Sequence, residues 1–120
     1  MNKKGFTLIE VLVGLVLLAI GLLAIAGMQV TSVRGNFFSS NMTQASILAQ
    51  DRLEILRNLA FDDPALTAGN HNEGVIPRTI FTRDYDVSVV SGTTMLNITV
   101  RVRWSDTTDH MISFSTIRSQ

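Results

Sequence analysis

Apolar residues are concentrated at the amino-terminal end of the chain. Residues 6–28 hold 18 apolar residues in 23, and no charged residue occurs between Val11 and Met28. A helix of about 20 apolar residues spans the roughly 30 Å hydrocarbon core of a bilayer. Lys3 and Lys4 precede this segment, and positive charge favours the cytoplasmic side of a membrane. The pattern predicts one membrane-spanning helix with its amino terminus in the cytoplasm and the rest of the chain outside it.

Residues 29–61 continue with the pattern of an amphipathic helix. The segment contains no proline, and its apolar residues recur close to every 3.6 positions. Asp62-Asp63-Pro64 is expected to end it, because proline disfavours a helix before it and acids oppose the carboxyl-terminal dipole. We therefore expect one long helix from about residue 6 to 61. The apolar positions of its second half are Val30, Val33, Phe37, Ala45, Leu48, Ala49, Ile55, Leu56 and Leu59.

Residues 62–120 have the pattern of a small antiparallel sheet. Residues 62–74 are rich in Asp, Asn and Gly and predict a turn-rich connection. Residues 75–83 predict a short or edge strand, since Pro77 interrupts them. Three or four strands packed on the amphipathic helix give an α+β fold. The alternating apolar positions are Tyr85, Val87 and Val89, then Leu96, Ile98, Val100, Val102 and Trp104, and finally Ile112, Phe114 and Thr116.

Composition and charge narrow the possible functions. A chain of 120 residues allows one compact domain. Ten basic residues balance ten acidic ones, whereas an electrostatic nucleic-acid binder would carry a basic surplus. The chain has no cysteine, so thiol nucleophiles, disulfides and thiolate metal sites are excluded.

The polar residues contain no recognisable catalytic or metal-binding pattern. His71 is expected in a loop and His110 at the start of a strand, without the spacing of a metal site. Asp106 and Asp109 share one turn, for which a solvated turn is favoured over a loose calcium site.

Arg101 and Arg103 alternate on the polar side of a strand. Such a pair could contact DNA or a partner protein, but a plain exposed face is the favoured interpretation. We expect no enzyme activity, no metal and no cofactor.

Glu10 is the one acidic residue at the start of the apolar segment. A carboxylate inside a membrane helix costs roughly 2.5–3.5 kcal/mol near its centre. One interpretation is that Glu10 lies close enough to the cytoplasmic end to reach water, where the helix dipole also favours an acid. The other is that it pairs with a cation after insertion. Since no Lys, Arg or His occurs between residues 5 and 33, that cation would be a free amino terminus on a neighbouring chain.

The first twelve residues, Met-Asn-Lys-Lys-Gly-Phe-Thr-Leu-Ile-Glu-Val-Leu, resemble the class III signal of type IV pilins and type II secretion pseudopilins. The resemblance implies a leader, residues 1–5, which a prepilin peptidase removes between Gly5 and Phe6. It also implies methylation of the new Phe6 amine, and a pair between Glu10 and that amine on an adjacent subunit. Such a pair forms only when the subunits are correctly staggered, so it would set their register.

The same resemblance implies the domain plan and the function. Residues 6–28 would be the transmembrane segment, 29–61 the amphipathic helix and 62–120 the loop and sheet of a pilin fold. The sequences Ala-Gln-Asp-Arg-Leu-Glu at 49–54 and Val-Arg-Val-Arg-Trp-Ser-Asp at 100–106 are similar to those of PilV-type minor pilins. The apolar segment has no proline and the chain no cysteine pair, which favours a minor subunit over the abundant fibre subunit.

A minor pilin would assemble with other minor and major pilin subunits, the prepilin peptidase and the inner-membrane assembly platform, and would help to initiate or modify filament assembly. It would sit in the inner membrane with a periplasmic domain, and in the pilus after assembly. Gly14 and Gly21 share a helical face and either allow close helix packing or are ordinary membrane residues.

Three other interpretations fit the same sequence features. A minor pseudopilin of a type II secretion system would share nearly every feature above. A cleaved secretory signal would use Ala24-Ile25-Ala26 and leave a soluble protein that starts at Gly27, but the apolar run is longer than such signals usually have. A plain membrane anchor would keep Met1.

Overall fold

The computed structural model describes Gly5 and residues 7–120. These residues divide into two compact units, the first ending at Ser39 and the second covering Ser40–Gln120. The expected α+β fold is confirmed, because a long helix packs on a four-stranded antiparallel sheet. The elements are α1 (Leu8–Asn58), a 3-10 helix (Pro64–Leu66), β1 (Gly69–Val75), β2 (Thr82–Val89), β3 (Leu96–Ser105) and β4 (Asp109–Arg118).

Helix α1 has a defined start and a slightly earlier end than the sequence predicts. The Thr7 hydroxyl accepts a hydrogen bond from the backbone N–H of Glu10 at 3.2 Å, which satisfies one of the free donors of the first turn. The helix ends at Asn58. Beyond it, the Asp63 carboxylate accepts the N–H of Ala65 at 2.9 Å and starts the 3-10 helix. The acids after α1 therefore begin a new turn instead of ending the long helix directly.

The four strands form a meander in the order β1-β2-β3-β4. The alternation predicted for residues 96–104 is confirmed, since Ile98, Val100 and Val102 are completely buried on one face of β3. The last strand also alternates as predicted, with Ile112 and Phe114 half-buried against the core.

Two predictions about the first part of the sheet are wrong. Residues 69–75 form strand β1, although residues 62–74 were expected to be a turn-rich connection. Residues 75–83 do not form one strand, because a loop at 76–81 separates β1 from β2. Pro77 and the left-handed backbone of Arg78, with φ of 64°, place the turn there. Strand β1 could not be recognised from the sequence, because an edge strand with few apolar residues shows no alternation of apolar and polar positions.

Small residues bring the second half of α1 close to the sheet. Ala45 and Ala49 are completely buried, and so is Leu56 two turns further along. The opposing core includes Phe81 and Trp104, whose rings meet edge to face at 5.8 Å between centroids. Burial of these side chains, at about 25 cal/mol per Å² of apolar surface, is the main force that holds helix and sheet together.

Glu73 links β1 to both neighbouring elements on the helix side of the sheet. Its carboxylate contacts Arg52 of α1 at 2.6 Å and Arg83 of β2 at 2.5 Å. Arg83 also donates to the Leu48 carbonyl of α1 at 3.3 Å. These contacts fix the otherwise polar strand β1 against the core.

The opposite face of the sheet carries a cluster of charged residues from β2 and β3. The Asp84 side chain is only 5% exposed and accepts two hydrogen bonds from Arg101, at 2.6 and 2.9 Å. Arg103 approaches the same carboxylate at 3.2 Å. Asp86 forms a second ion pair with Arg101 and accepts the Asn70 amide at 2.9 Å. Arg101 was expected on a plain exposed face, but it is paired with two acids across the strand.

Asp86 makes the stability of the sheet depend on pH. The Asn70 amide, and after it Arg101, hold the pKa of Asp86 below its usual range. A carboxylate with a lowered pKa stabilises the fold fully above its unfolded pKa of about 3.9, and the contribution disappears as the pH falls through the folded value.

We expect Asp86→Asn to lose about 0.5–1 kcal/mol of unfolding free energy at pH 7, because the group is partly exposed. The loss should shrink towards zero near pH 2. Urea titrations of the full chain in detergent, followed by fluorescence of the single tryptophan Trp104, measure both values. Asp109→Asn, which changes an exposed acid outside the charged cluster, is the control. An equal loss at both pH values would contradict the expectation.

Candidate functional site

The candidate site is the amino-terminal segment, residues 5–21. Gly5 precedes the helix, is exposed, and has no heavy atom within 4 Å of the place where a Cβ would lie. Phe6, like Lys3 and Lys4, lies outside the described residues. Cleavage after Gly5 and methylation of Phe6 therefore stay predictions. What the geometry adds is that α1 begins only at Leu8, so Gly5 lies outside the helix.

Glu10 is exposed in the first turn of α1. An acid at this end of a helix interacts favourably with the positive end of the dipole. Further along the chain the first cationic residue is Arg34, which lies about 36 Å away along a straight helix. Therefore, no cationic side chain of the apolar segment of α1 lies within reach of the Glu10 carboxylate.

The first half of α1 exposes a continuous apolar surface. The large apolar side chains from Leu8 to Met28 are between 46% and 77% exposed. Of the described part of the chain, one helix is long and apolar enough to cross a membrane, and it is this one. A surface of this kind needs lipid or other apolar helices to cover it.

Gly14 and Gly21 lie on this apolar surface. A Cβ added at either position would meet no heavy atom within 4 Å, and the same is true at Gly27 and Gly35. No contact within the described residues requires a glycine at these places. A packing role for Gly14 and Gly21 would thus come from a neighbouring molecule, and it stays a prediction.

The two histidines make structural contacts in the sheet. His71 lies in β1 and not in a loop as expected, and its ring stacks on Tyr85 with centroids 4.6 Å apart. The sequence pattern missed this because β1 itself was missed. His110 lies at the start of β4 as predicted, and its Nε2 atom is 3.0 Å from the Asp106 carboxylate.

The Asp106 carboxylate makes hydrogen bonds within the turn between β3 and β4. The Thr108 backbone N–H, and after it His110, lower the pKa of Asp106. The Oδ1 atom of this carboxylate accepts the Thr108 N–H at 3.0 Å, so it serves the turn itself. Within the described residues, no three side chains of the types that bind metals come together.

The pairing of Asp84 and Asp86 with Arg101 was not predicted from the sequence. The signal was present as two acids at alternate positions of one strand and two arginines at alternate positions of the next. Cross-strand neighbours of opposite charge are favourable, but the register decides which residues meet. Here Asp84 lies directly opposite Arg101.

Comparison with protein families matches residues 1–26 to the prokaryotic N-terminal methylation motif. The match covers Gly5, Glu10 and most of the apolar segment. No curated protein and no solved structure matches the chain.

Proposed function

We propose that the chain is a minor pilin of a type IV pilus that helps to initiate or modify filament assembly. Its amino-terminal methylation motif indicates a type IV pilin-like or pseudopilin-like protein. The observation that carries the proposal is the combination of this motif with an exposed apolar helix that begins next to it. Proteins with this motif are structural subunits, and we accordingly propose an assembly function and no catalysis.

The proposed roles follow the residues of the motif. The prepilin peptidase cuts between Gly5 and Phe6 and methylates the Phe6 amine. Glu10 then pairs with the amine of an adjacent subunit, because its own helix offers no cation over residues 11–33. Burial of two separate charges in an apolar core is unfavourable, whereas a correctly placed pair neutralises both.

The proposed location is the inner membrane before assembly and the pilus afterwards. Residues 6–28 span the bilayer, Lys3 and Lys4 hold the amino terminus in the cytoplasm, and the second unit lies in the periplasm. Residues 29–61 and 62–120 are the amphipathic helix and the sheet region of the proposed domain plan. The partners are other pilin subunits, the prepilin peptidase and the assembly platform of the inner membrane.

A minor subunit is favoured over the abundant fibre subunit by two features of the sequence. The chain has no cysteine, so no disulfide reinforces the sheet against shear, and no proline interrupts the apolar segment. The same features suit a minor pseudopilin of a type II secretion system. The genes that neighbour the coding sequence, for a pilus or for secretion, distinguish these two assignments.

The test of the proposal is the amino terminus of the mature protein. We expect sequencing and mass spectrometry of the chain from its own cells to find methylated Phe6 as the first residue. In Gly5→Val, a branched side chain crowds the scissile bond, and we expect processing to slow at least tenfold, which is about 1.4 kcal/mol in the barrier. Gly14→Val is the matched control and should be processed normally.

Two results would contradict the proposal. A mature protein starting at Gly27 would indicate a secreted soluble protein. A retained Met1 would indicate a simple anchor.

A further inference from the structure

A cavity of about 400 Å³ opens at one end of the sheet. Strand β2 begins at Thr82, opposite Arg103, whereas β3 continues to Ser105 and pairs there with β4 alone. The last two residues of β3 therefore have no β2 neighbour in the described sheet, and residues on both sides of this notch line the cavity. Its volume falls within the roughly 300–1,000 Å³ of small-molecule sites. The lining includes Ile80, Thr82, Arg103, Trp104, Ser105 and Asp109.

The cavity carries two side chains of opposite charge on the face of the sheet that is turned away from the helix. Arg103 and Ser105 alternate on this face of β3, and Asp109 lies directly opposite Ser105. Because Arg103 itself lies opposite Met111, Arg103 and Asp109 are diagonal neighbours, about 7–8 Å apart. Among the described residues, no ion pair joins these two side chains to each other.

Both charged groups have room for a further partner. The Asp109 carboxylate is exposed and accepts no hydrogen bond from another described residue. The Arg103 side chain is 51% exposed, and only its Nη1 atom is engaged, 3.2 Å from Asp84. The backbone adds a donor and an acceptor, since either Trp104 or Ser105 directs its N–H and C=O towards the side that β2 leaves open.

We propose that this cavity binds a zwitterionic α-amino acid with an apolar side chain. The ligand carboxylate accepts hydrogen bonds from Arg103, its ammonium group donates to Asp109, and its side chain packs on Ile80, which is 54% exposed. In such a ligand the ammonium nitrogen and the carboxyl carbon are about 2.5 Å apart. With a hydrogen bond of about 2.9 Å on each side, the ligand bridges two groups roughly 8 Å apart, which matches the diagonal spacing.

The charges of the lining disfavour other small ligands. A simple anion gains Arg103 but meets the like charge of Asp109, and a simple cation meets the reverse arrangement. A neutral sugar leaves both side chains without a partner of opposite charge. His110 completes the lining, and its Nε2 atom is held 3.0 Å from the Asp106 carboxylate. A small molecule that carries both charges is therefore the best match.

Fluorescence of Trp104 reports binding, because it is the single tryptophan of the chain and lines the cavity. The full chain in a nonionic detergent is titrated with L-leucine. We expect a saturable change with a Kd in the millimolar range, since contacts of exposed charges are weak. 4-Methylpentanoate lacks the ammonium group and 3-methylbutylamine lacks the carboxylate, and each should bind about fivefold more weakly. Saturation-transfer NMR on the same samples detects bound leucine independently of the fluorescence.

Two variants test the named contacts. Asp109→Asn removes one charge at constant side-chain size, and we expect it to weaken leucine binding about three- to fivefold. Asp51→Asn changes an exposed acid of α1 and is the matched control, which should bind as the wild type does. Ile80→Ala should lower the preference for leucine over glycine about threefold. Ile117→Ala, at an exposed position of β4 outside the lining, should leave that preference unchanged.

Three results would overturn the proposal: no saturable response in either measurement near the solubility limit of leucine, equal binding of the two analogues with a single charge, or unchanged binding by Asp109→Asn. Tighter binding of phosphoethanolamine than of leucine would overturn it as well, because a lipid headgroup would then be the better ligand. The cavity is lined by residues between Ile80 and His110, so the outcome is independent of leader processing and filament assembly.

Discussion

Glu10→Ala is expected to be processed normally and to enter filaments at least tenfold less than the wild type. In the proposed function, the peptidase acts on the segment before the helix, where Gly5 lies outside α1. In the proposed assembly, the carboxylate instead enters the apolar core, where it pairs with a neighbouring amine. Loss of the pair leaves that amine buried and uncompensated, and tenfold corresponds to only about 1.4 kcal/mol. The ratio of subunit in sheared filaments to subunit in membranes, by immunoblot, measures the effect.

A second variant separates charge pairing from helix capping. Thr7 and Glu10 have the spacing of a capping box, in which Glu and Gln serve equally well at the third helical position. Glu10→Gln therefore keeps the capping ability and removes the charge, and we expect it to assemble as poorly as Glu10→Ala. Glu54→Ala, at an exposed acid in the second half of α1, is the matched control. Normal assembly of Glu10→Gln would disprove the charge-pair account.

Asp84→Ala is expected to lower the free energy of unfolding by about 3–5 kcal/mol, a large share of the 5–15 kcal/mol typical of a domain. The Asp84 carboxylate is 5% exposed and binds Arg101 and Arg103, so its removal leaves two guanidinium groups beside each other without their common partner. Urea unfolding of the full chain in detergent, followed by Trp104 fluorescence, measures the change, because Trp104 is 3% exposed in the folded domain.

Asp86→Ala is the matched control for this experiment. It removes the other acid that pairs with Arg101, but its side chain is 39% exposed, and we expect a loss of about 1 kcal/mol or less. Asp84→Asn keeps an oxygen that accepts a hydrogen bond and should fall between the two alanine variants. Equal losses for Asp84→Ala and Asp86→Ala would show that burial of Asp84 does not govern the stability of the cluster.

The sequence predicted those elements in which apolar side chains face the core and polar side chains face solvent. Strand β3 was recognised because its apolar and polar residues alternate without a break, as a strand with one buried face requires. Strand β1 was missed because Asn70, His71 and Asn72 give no such alternation. Its position depends on contacts of Glu73 with Arg52 and Arg83, which are distant in the sequence and cannot be paired without the register.

The residues of the candidate site, unlike those of strand β1, could be picked out from the sequence alone. Gly5, Phe6 and Glu10 form a linear motif, so the resemblance identifies them without any tertiary structure. The structure adds the Thr7 cap and the start of the helix at Leu8. The roles of Gly14 and Gly21 depend on neighbouring chains, and the conformation of one chain cannot reveal them.

Strand order also sets how this domain folds. Because each strand pairs with the next one along the chain, most contacts of the sheet are local, which favours fast folding. With no cysteine in the chain, folding requires no oxidation step. β4 follows the other three strands of the described sheet along the chain, and until it docks the edge of β3 is open. The interval before β4 docks is therefore the period in which the folding domain is most exposed to aggregation and proteolysis.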